Sequence, residues 1–298
     1  MRYRVLIEAS GSLTSNYLIK AVKDAGEFVI SSDIDECAAS FNSNQFVIVP
    51  SKNDPDLWLK LENIIVENKI NVVIPSFDET LLGWAERKSY FLTKGVHVII
   101  SDQKVLEICQ DKWNTYNFFK ELGIPTPETS KSNLFPVIKP RIGRGGKGIS
   151  INKIVNSMEG MISQELLTGT EYTIDIFCDK NSYPTYIVPR VRLKVVDGKS
   201  IDGITRDSPK IVEYVKIICN KLKFIGPINM QCFEDINGEI KFIEINPRVG
   251  GGMALGFQAT ENWVKLIFTN LIEGKLLNAV DVVFDLKMYR FYNELFTK

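Results

Sequence analysis

Histidine is almost absent: His97 is the only one in 298 residues. A Ser-His-Asp or Cys-His triad would have one available base. His97 lies in the apolar run Val96-His97-Val98-Ile99-Ile100, where it reads as a strand-edge residue. Cysteine is sparse and scattered (Cys37, Cys109, Cys178, Cys219 and Cys232), with no C-x-x-C pair. An odd, unspaced set reads as reduced thiols rather than a disulfide framework. No apolar run approaches the roughly 20 residues of a membrane helix. Behind Met1-Arg2-Tyr3-Arg4 the apolar stretch Val5-Leu6-Ile7 is too short for a signal-peptide core. Net charge is also missing, because Lys+Arg 36 balances Asp+Glu 36. Nothing in that balance favours nucleic acid or an anionic membrane. The chain is expected in the cytoplasm, with no membrane and no nucleic-acid partner; an oligomer is left open. No internal repeat or low-complexity segment stands out.

Residues 1 to about 105 alternate short apolar runs with helical stretches. Val5-Leu6-Ile7, Phe28-Val29-Ile30, Phe46–Val49, Asn71–Pro75 and Val96–Ile100 read as strands. Leu13–Asp24 and Asp56–Asn68 read as helices. That alternation implies crossover connections and a parallel sheet. Such sheets bind ligands beyond the carboxyl ends of their strands. Pro75-Ser76-Phe77-Asp78-Glu79 sits at such an end, which makes Glu79 a candidate to face a substrate. The loop Glu8-Ala9-Ser10-Gly11-Ser12 lacks the three glycines of a dinucleotide fingerprint, so a Rossmann NAD site is not expected despite the topology. A helix is expected from about Val105 to Leu122, ended by Gly123, Pro125 and Pro127.

The second half reads as α+β. The strand Phe135–Pro140 runs into Arg141-Ile142-Gly143-Arg144-Gly145-Gly146-Lys147-Gly148. Glycines let backbone N–H groups approach an anion, and the three cations supply charge. It is not a Walker A loop, since no Lys-Ser or Lys-Thr follows. Lys139, ending an apolar strand, wants a fixed anionic partner. A helix is expected near Val155 to Ile162, a strand over Tyr172–Phe177, a helix over Lys210–Leu222 and two strands over Ile228–Pro247. Asp197-Gly198 and Asn237-Gly238 mark hairpin turns.

Taking Asn237-Gly238 as a two-residue turn pairs Ile236 with Glu239, Glu234 with Lys241, Phe233 with Phe242 and Gln231 with Glu244. Strand alternation then puts Gln231, Phe233, Phe242, Glu244 and Asn246 on one face. Cys232, Ile243 and Ile245 take the other. Gln231, Glu244 and Asn246 all offer oxygen, a donor set for Mg²⁺ rather than zinc. Mn²⁺ would fit the same donors. One formal charge holds a divalent ion weakly, so nucleotide phosphates would have to share it. On Val188–Lys194, Arg190, Arg192 and Lys194 fall on one strand face, where arginine forks suit a carboxylate or phosphate.

Taken in order, Lys112, Lys139-Pro140, Gly145-Gly146-Lys147-Gly148, Gln164–Leu167 with Gly169-Thr170-Glu171, Asn229-x-Gln231 and Glu244–Arg248 resemble the ATP-grasp superfamily. They are most similar to the synthetase units of the carbamoyl-phosphate synthase large subunit. The resemblance implies a parallel-sheet pre-ATP-grasp domain over 1–105 and an ATP-grasp fold of two α+β subdomains over 106–298, a lid at about 110–165 and a C-terminal part at about 166–298. It implies ATP as the nucleotide, with Lys112, Lys139, Gly145, Gly146 and Lys147 on the phosphates. Glu165 and Leu167 would hold the adenine edge, and Glu171 the ribose. Gln231, Glu244 and Asn246 would take Mg²⁺, and Arg248 with Lys139 would serve catalysis. Glu79, Arg190 and Arg192 remain for the substrates. Val249-Gly250-Gly251-Gly252 departs from that family, and no second ATP-grasp unit follows, so an organic acid fits better than bicarbonate. The implied activity is carboxylate–amine ligation through an acyl phosphate, with small-molecule acid and amine as partners. A small-molecule kinase and a catalytically silent nucleotide-binding regulator are the competing readings.

Overall fold

The computed structural model describes every residue except 1, 154, 197, 198, 292, 293, 295, 297 and 298. The first unit threads β1 (Arg4–Ile7), α1 (Ser15–Asp24), β2 (Phe28–Asp33), α2 (Ala39–Asn42), β3 (Gln45–Ile48), α3 (Leu57–Glu67), β4 (Val72–Ile74), α4 (Leu81–Thr93) and β5 (His97–Val98). Its sheet has the order β3-β2-β1-β4-β5, and every pairing is parallel. Buried apolar residues fill β1 and β4 on both faces, as crossover helices covering both sides require. The strand order reverses between β1 and β4, so the loops after Ile7 and Ile74 flank a crevice. His97 lies on edge strand β5, and partial burial lowers its pKa.

The expected helix over Val105–Leu122 is two helices, α5 (Gln103–Gln110) and α6 (Lys112–Glu121). Asp111 breaks it: its backbone is extended, and its carboxylate accepts from the Trp113 N–H at 2.9 Å. The same carboxylate pairs with Arg141. An N-cap that is also an ion-pair partner stabilises the break more than helix continuation would. Residue 105 lies inside α5. Leu106 packs in the parallel-sheet core and Val105 and Cys109 in the next one, so α5 joins the two units.

A four-stranded sheet of order β6-β9-β7-β8 follows, built from β6 (Thr129–Ser130), β7 (Val137–Pro140), β8 (Ser150–Ile151) and β9 (Met161–Gln164). The helix expected near Val155 to Ile162 is not formed among the described residues. Gly160 turns the chain at φ +66°, and Ile162 pairs instead with Lys139 across β7–β9. The large sheet has the order β14-β13-β10-β11-β12-β15. Its strands are β10 (Thr170–Cys178), β11 (Pro184–Val196), β12 (Lys199–Thr205), β13 (Gly226–Glu234), β14 (Ile240–Asn246) and β15 (Lys287–Met288). The turn expected at Asp197-Gly198 lies outside the described residues. Helix α7 (Pro209–Leu222) buries Ile211, Val215, Ile218, Cys219 and Leu222 against this sheet, a spacing that makes one continuous helix face. Pro209 starts it, and Lys223 stops it in the left-handed region at φ 55°.

The β13–β14 hairpin keeps the expected register only at its far end, with Asn229 opposite Asn246 and Gln231 opposite Glu244. Nearer the turn it slips by one residue, pairing Phe233 with Lys241 and Glu234 with Ile240. The turn is longer than two residues. Asp235 accepts from the N–H groups of Asn237 and Glu239, with Gly238 at φ +76°. This Asx-type loop absorbs an additional residue. A bulge at Ile243 restores the register, so Phe242 joins Met230, Cys232 and Ile245 in the core rather than facing the Glu244 side.

The chain closes with α8 (Ala254–Ala259), α9 (Trp263–Leu266) and a π-helical turn (Ile267–Ile272). Trp263, Ile267 and Phe268 pack with Val5, Ile7, Val29 and Val72 of the parallel sheet and with Phe177 and Tyr186 of β10 and β11. One core therefore holds the first unit against the large sheet and fixes the crevice between them.

Candidate active site

One face of the large sheet carries polar side chains in three parallel rows. The first runs Lys241, Phe233, Glu171 across β14, β13 and β10. Two residues on, the second runs Glu244, Gln231, Thr173, Arg190 across β14, β13, β10 and β11. The third runs Asn246, Asn229, Asp175. Directly opposed residues share a face, and so do residues two apart. With strands about 4.8 Å apart, Arg190 stands about 10 Å from Gln231 along its row.

The Gln231–Glu244 end has oxygen to offer. Among the described residues, no side-chain hydrogen bond or ion pair engages Gln231, Glu244 or Asn246, although Asn246 is buried. Buried polar groups ordinarily find partners, so the unused amide and carboxylate oxygens mark a place for a ligand. No cluster of three His, Cys, Asp or Glu occurs among the described residues; Gln231, Glu244 and Asn246 offer oxygen, the donor type hard cations take.

Lys139 faces it from the four-stranded sheet. The side chain is 7% exposed, and its ammonium donates to Gln164 Oε1 at 2.7 Å. Gln164 is held in turn by the Thr129 hydroxyl. Burial lowers the Lys139 pKa to about 8; the Glu244 carboxylate partly opposes this, and the Lys112 charge adds to it. Lys112 begins α6 and donates to the Gly143 carbonyl at 2.7 Å, at the foot of the glycine-rich loop. Gly143, Gly145, Gly146 and Gly148 all have positive φ, a conformation that residues with a Cβ rarely adopt. At Gly148 a Cβ would also stand 2.9 Å from Pro140 Cγ. Lys147 is exposed on this loop.

A recess of about 110 Å³ opens beside the first row, lined by Glu165, Leu167, Phe233 and Lys241 among others. Glu165 accepts from Lys241 at 2.8 Å through both oxygens, tying the end of β9 to the large sheet. Glu171 pairs with Arg192. Neither arginine of β11 is a solvated stripe. Arg190 is 3% exposed and grips Asp175 with Nε at 2.7 Å and Nη2 at 3.1 Å. Burial raises the Asp175 pKa, and Arg190 opposes the shift. Lys194 leaves the row, because the β11–β12 register shifts after Arg192.

Arg248 is clamped by a residue the sequence did not single out. Its Nε and Nη2 donate to the two Asp78 oxygens at 2.8 Å each. Glu79, the neighbour proposed for substrate, pairs with Arg144 of the glycine-rich loop at 3.2 Å and with Lys52 at 3.6 Å. Arg144 also stacks over Phe77, 4.7 Å from its centroid. The loop after β4 therefore meets both the glycine-rich loop and Arg248. Position at the carboxyl end of a strand was the available signal, and it fell one residue away.

Comparison with known proteins points to ATP-grasp ligases. Residues 157–291 match the model "ATP-grasp in the biosynthetic pathway with Ter operon", and residues 5–99 match "PylC-like, N-terminal domain". The chain is thus similar to the ATP-grasp family over 157–291, just under half of its length. It is 26% identical over 213 residues to a tyramine–L-glutamate ligase of Methanocaldococcus fervens, covering 68% of this chain and 67% of that protein. It is 22% identical to the carbamoyl phosphate synthase large chain of Clostridium botulinum, covering 89% of this chain and 27% of that one. In fold it resembles N5-carboxyaminoimidazole synthetase from Staphylococcus aureus complexed with ADP, with TM-score 0.72 and 17% identity over 95% of this chain and 80% of that one. Among the described residues no helix is long and apolar enough to cross a membrane.

Proposed function

We propose that the protein is an ATP-dependent ligase that activates a small carboxylic acid as an acyl phosphate and passes it to an amine. The observation carrying this is the pairing of Gln231 with Glu244 beside Lys139, whose neighbour Lys112 bonds the loop of positive-φ glycines. That arrangement concentrates charge at the distal end of a nucleotide's phosphate chain. In this reading Leu167, Phe233 and Glu165 receive the adenine, and Glu171 the ribose. Gly145, Gly146, Lys147, Lys112 and Lys139 hold the phosphates. Gln231, Glu244 and Asn246 would hold Mg²⁺ (or Mn²⁺), which would supply charge neutralisation to the phosphates. Arg248 and Lys139 stabilise the transferring phosphoryl group, where fixed cations help most. Asp78 keeps Arg248 aimed across the crevice.

A carboxylate oxygen attacks the γ-phosphorus, and the bond to the β-phosphate oxygen breaks to release ADP. The amine nitrogen then attacks the acyl carbon, phosphate leaves, and the nitrogen loses its proton. Similarity to a tyramine–L-glutamate ligase supports an amino acid or related acid as one substrate. The boundaries 1–105 and 106–298, with a lid at about 110–165, and a cytoplasmic setting for the five free thiols belong to the same proposal. The test is a matrix of acids against amines, read as ADP release. ADP that appears only when both are present supports ligation. ADP released with the acid alone and a stable phosphorylated product would mean a kinase.

A further inference from the structure

The glycine run Val249-Gly250-Gly251-Gly252, which sets this chain apart from the carbamoyl-phosphate synthase pattern, has a steric explanation. A Cβ on Gly250 would stand 2.7 Å from Asn229 Nδ2, and one on Gly252 2.6 Å from Arg190 Nη1 and Nη2. Bare backbone lets a buried guanidinium press against the segment. A second arginine reaches the same segment from the end of the chain. Arg290 donates from Nη2 to the Gly251 carbonyl and from Nη1 to the Leu13 carbonyl at 3.3 Å. The Tyr17 hydroxyl donates to the Gly250 carbonyl at 2.8 Å, and the charges of Asp175, Arg290, Arg190 and Arg248 all act on it.

Two guanidiniums thus converge on consecutive glycines, and both keep unused donors. Arg190 Nη1 and Arg290 Nε are buried without a hydrogen-bond partner among the described residues. The local charges do not cancel. Asp175 neutralises Arg190, and Asp78 neutralises Arg248. Arg290 bonds only backbone carbonyls and has no acidic partner among the described residues. Leaving a buried charged donor unsatisfied is costly, so a surplus cation with free N–H groups is a site built for an anion. Its place follows from the sheet rows. Arg190 lies in the row of Gln231 and Glu244, about 10 Å along it. An anion there, with arginine reach included, sits one short acid's length from the metal-binding end.

We propose that Arg190 and Arg290 form a subsite for a second carboxylate of the acid substrate, the one that is not activated. The preferred acid is then a short dicarboxylate or amino diacid. This rests on the ligase reading, which assigns the Glu244 end to phosphoryl transfer. The experiment compares glutarate, adipate, L-aspartate and L-glutamate with their monoamides. Binding to the enzyme–Mg–ADP complex is measured by calorimetry, and ADP release is followed with an amine panel. Wild type should bind at least one diacid about 10–100-fold tighter than its monoamide, the range expected for a charged hydrogen-bonded contact. Arg290→Gln should abolish that preference and leave nucleotide affinity unchanged, and Arg290→Lys should restore part of it. The proposal is overturned if no diacid is preferred, or if the preference survives in Arg290→Gln. If only the ligase reading is wrong, the diacid still binds through Arg290 while ADP release ignores the amine. If only the subsite is wrong, amine-dependent ADP release proceeds with monoacids and is indifferent to Arg290.

Discussion

Lys139 gives the sharpest test of how the site is built, because its charge costs the empty protein stability. Burial moves its pKa from 10.5 to about 8. At about 1.4 kcal/mol per unit, holding it charged at pH 7 costs the folded state about 3 kcal/mol. Lys139→Met removes that cost with a side chain of similar length. The change leaves Gln164 Oε1 without its donor, which costs about 1–3 kcal/mol. Without nucleotide the variant should therefore be as stable as wild type, or more stable by up to about 2 kcal/mol. The sign with pH follows. The folded pKa lies below the unfolded one, so the cost is full below about 8 and disappears as pH rises toward 10.5. Over that window the balance should move toward wild type by about 2–3 kcal/mol, because the charge cost fades while the lost Gln164 contact stays with the variant. Urea unfolding at pH 7 and pH 10, with and without Mg-ADP, reads both effects. Mg-ADP should protect wild type and protect the variant much less, since a ligand stabilises only in proportion to its binding. The reasoning fails if the nucleotide-free variant at pH 7 is weaker than wild type by more than about 1 kcal/mol, beyond what the lost Gln164 contact explains. It also fails if Mg-ADP protects the variant fully.

The other predictions address the remaining parts of the site. Glu244→Gln and Asn246→Ala should lose Mg-dependent turnover while circular dichroism and nucleotide-free melting stay near wild type; normal turnover in either removes them from the metal site. Arg248→Ala should lower kcat by about 10²–10³ with a smaller change in nucleotide affinity, and a loss confined to KM for ATP would make it a binding residue only. Asp78→Asn leaves Arg248 in place but unpaired, so it should give a smaller loss in kcat than Arg248→Ala; a loss as large would mean that Asp78 has its own part in the chemistry. Nucleotide affinity should weaken as pH rises through about 8, because phosphate binding favours the charged form of Lys139; a flat profile from pH 7 to 9 measured by calorimetry would contradict contact with that ammonium.

Much of the architecture was legible because local signals agreed. The parallel sheet announced itself through fully apolar strands such as Val72–Ile74, and α7 through the spacing of Ile211, Val215, Ile218 and Leu222. Gln231 and Glu244 do face one another, as charge and pattern suggested. The register between them and the turn was misjudged, because Asn237-Gly238 looked sufficient while the Asp235 carboxylate organised a longer loop. The helix break at Asp111 depends on Arg141, 30 residues away, and no periodicity carries that information. Long-range partners account for most of what the sequence withheld in the site. Asp78 finds Arg248 170 residues later, and Arg290 meets Arg190 only because the chain end folds back over the glycine segment. Arginines 190 and 192 were readable as anion binders, but their internal carboxylates, Asp175 and Glu171, lie on a neighbouring strand.

The central claim is that a carboxylate is activated by the γ-phosphoryl group. Once the acid–amine matrix supplies a substrate pair, the reaction is run with acid labelled by ¹⁸O in its carboxylate, and the products are resolved by mass spectrometry. Attack at the γ-phosphorus leaves one carboxylate oxygen bridging to phosphorus, and amine attack then releases it in phosphate. The account predicts ¹⁸O in inorganic phosphate, with ADP as the nucleotide product. Label in AMP with release of pyrophosphate would contradict it.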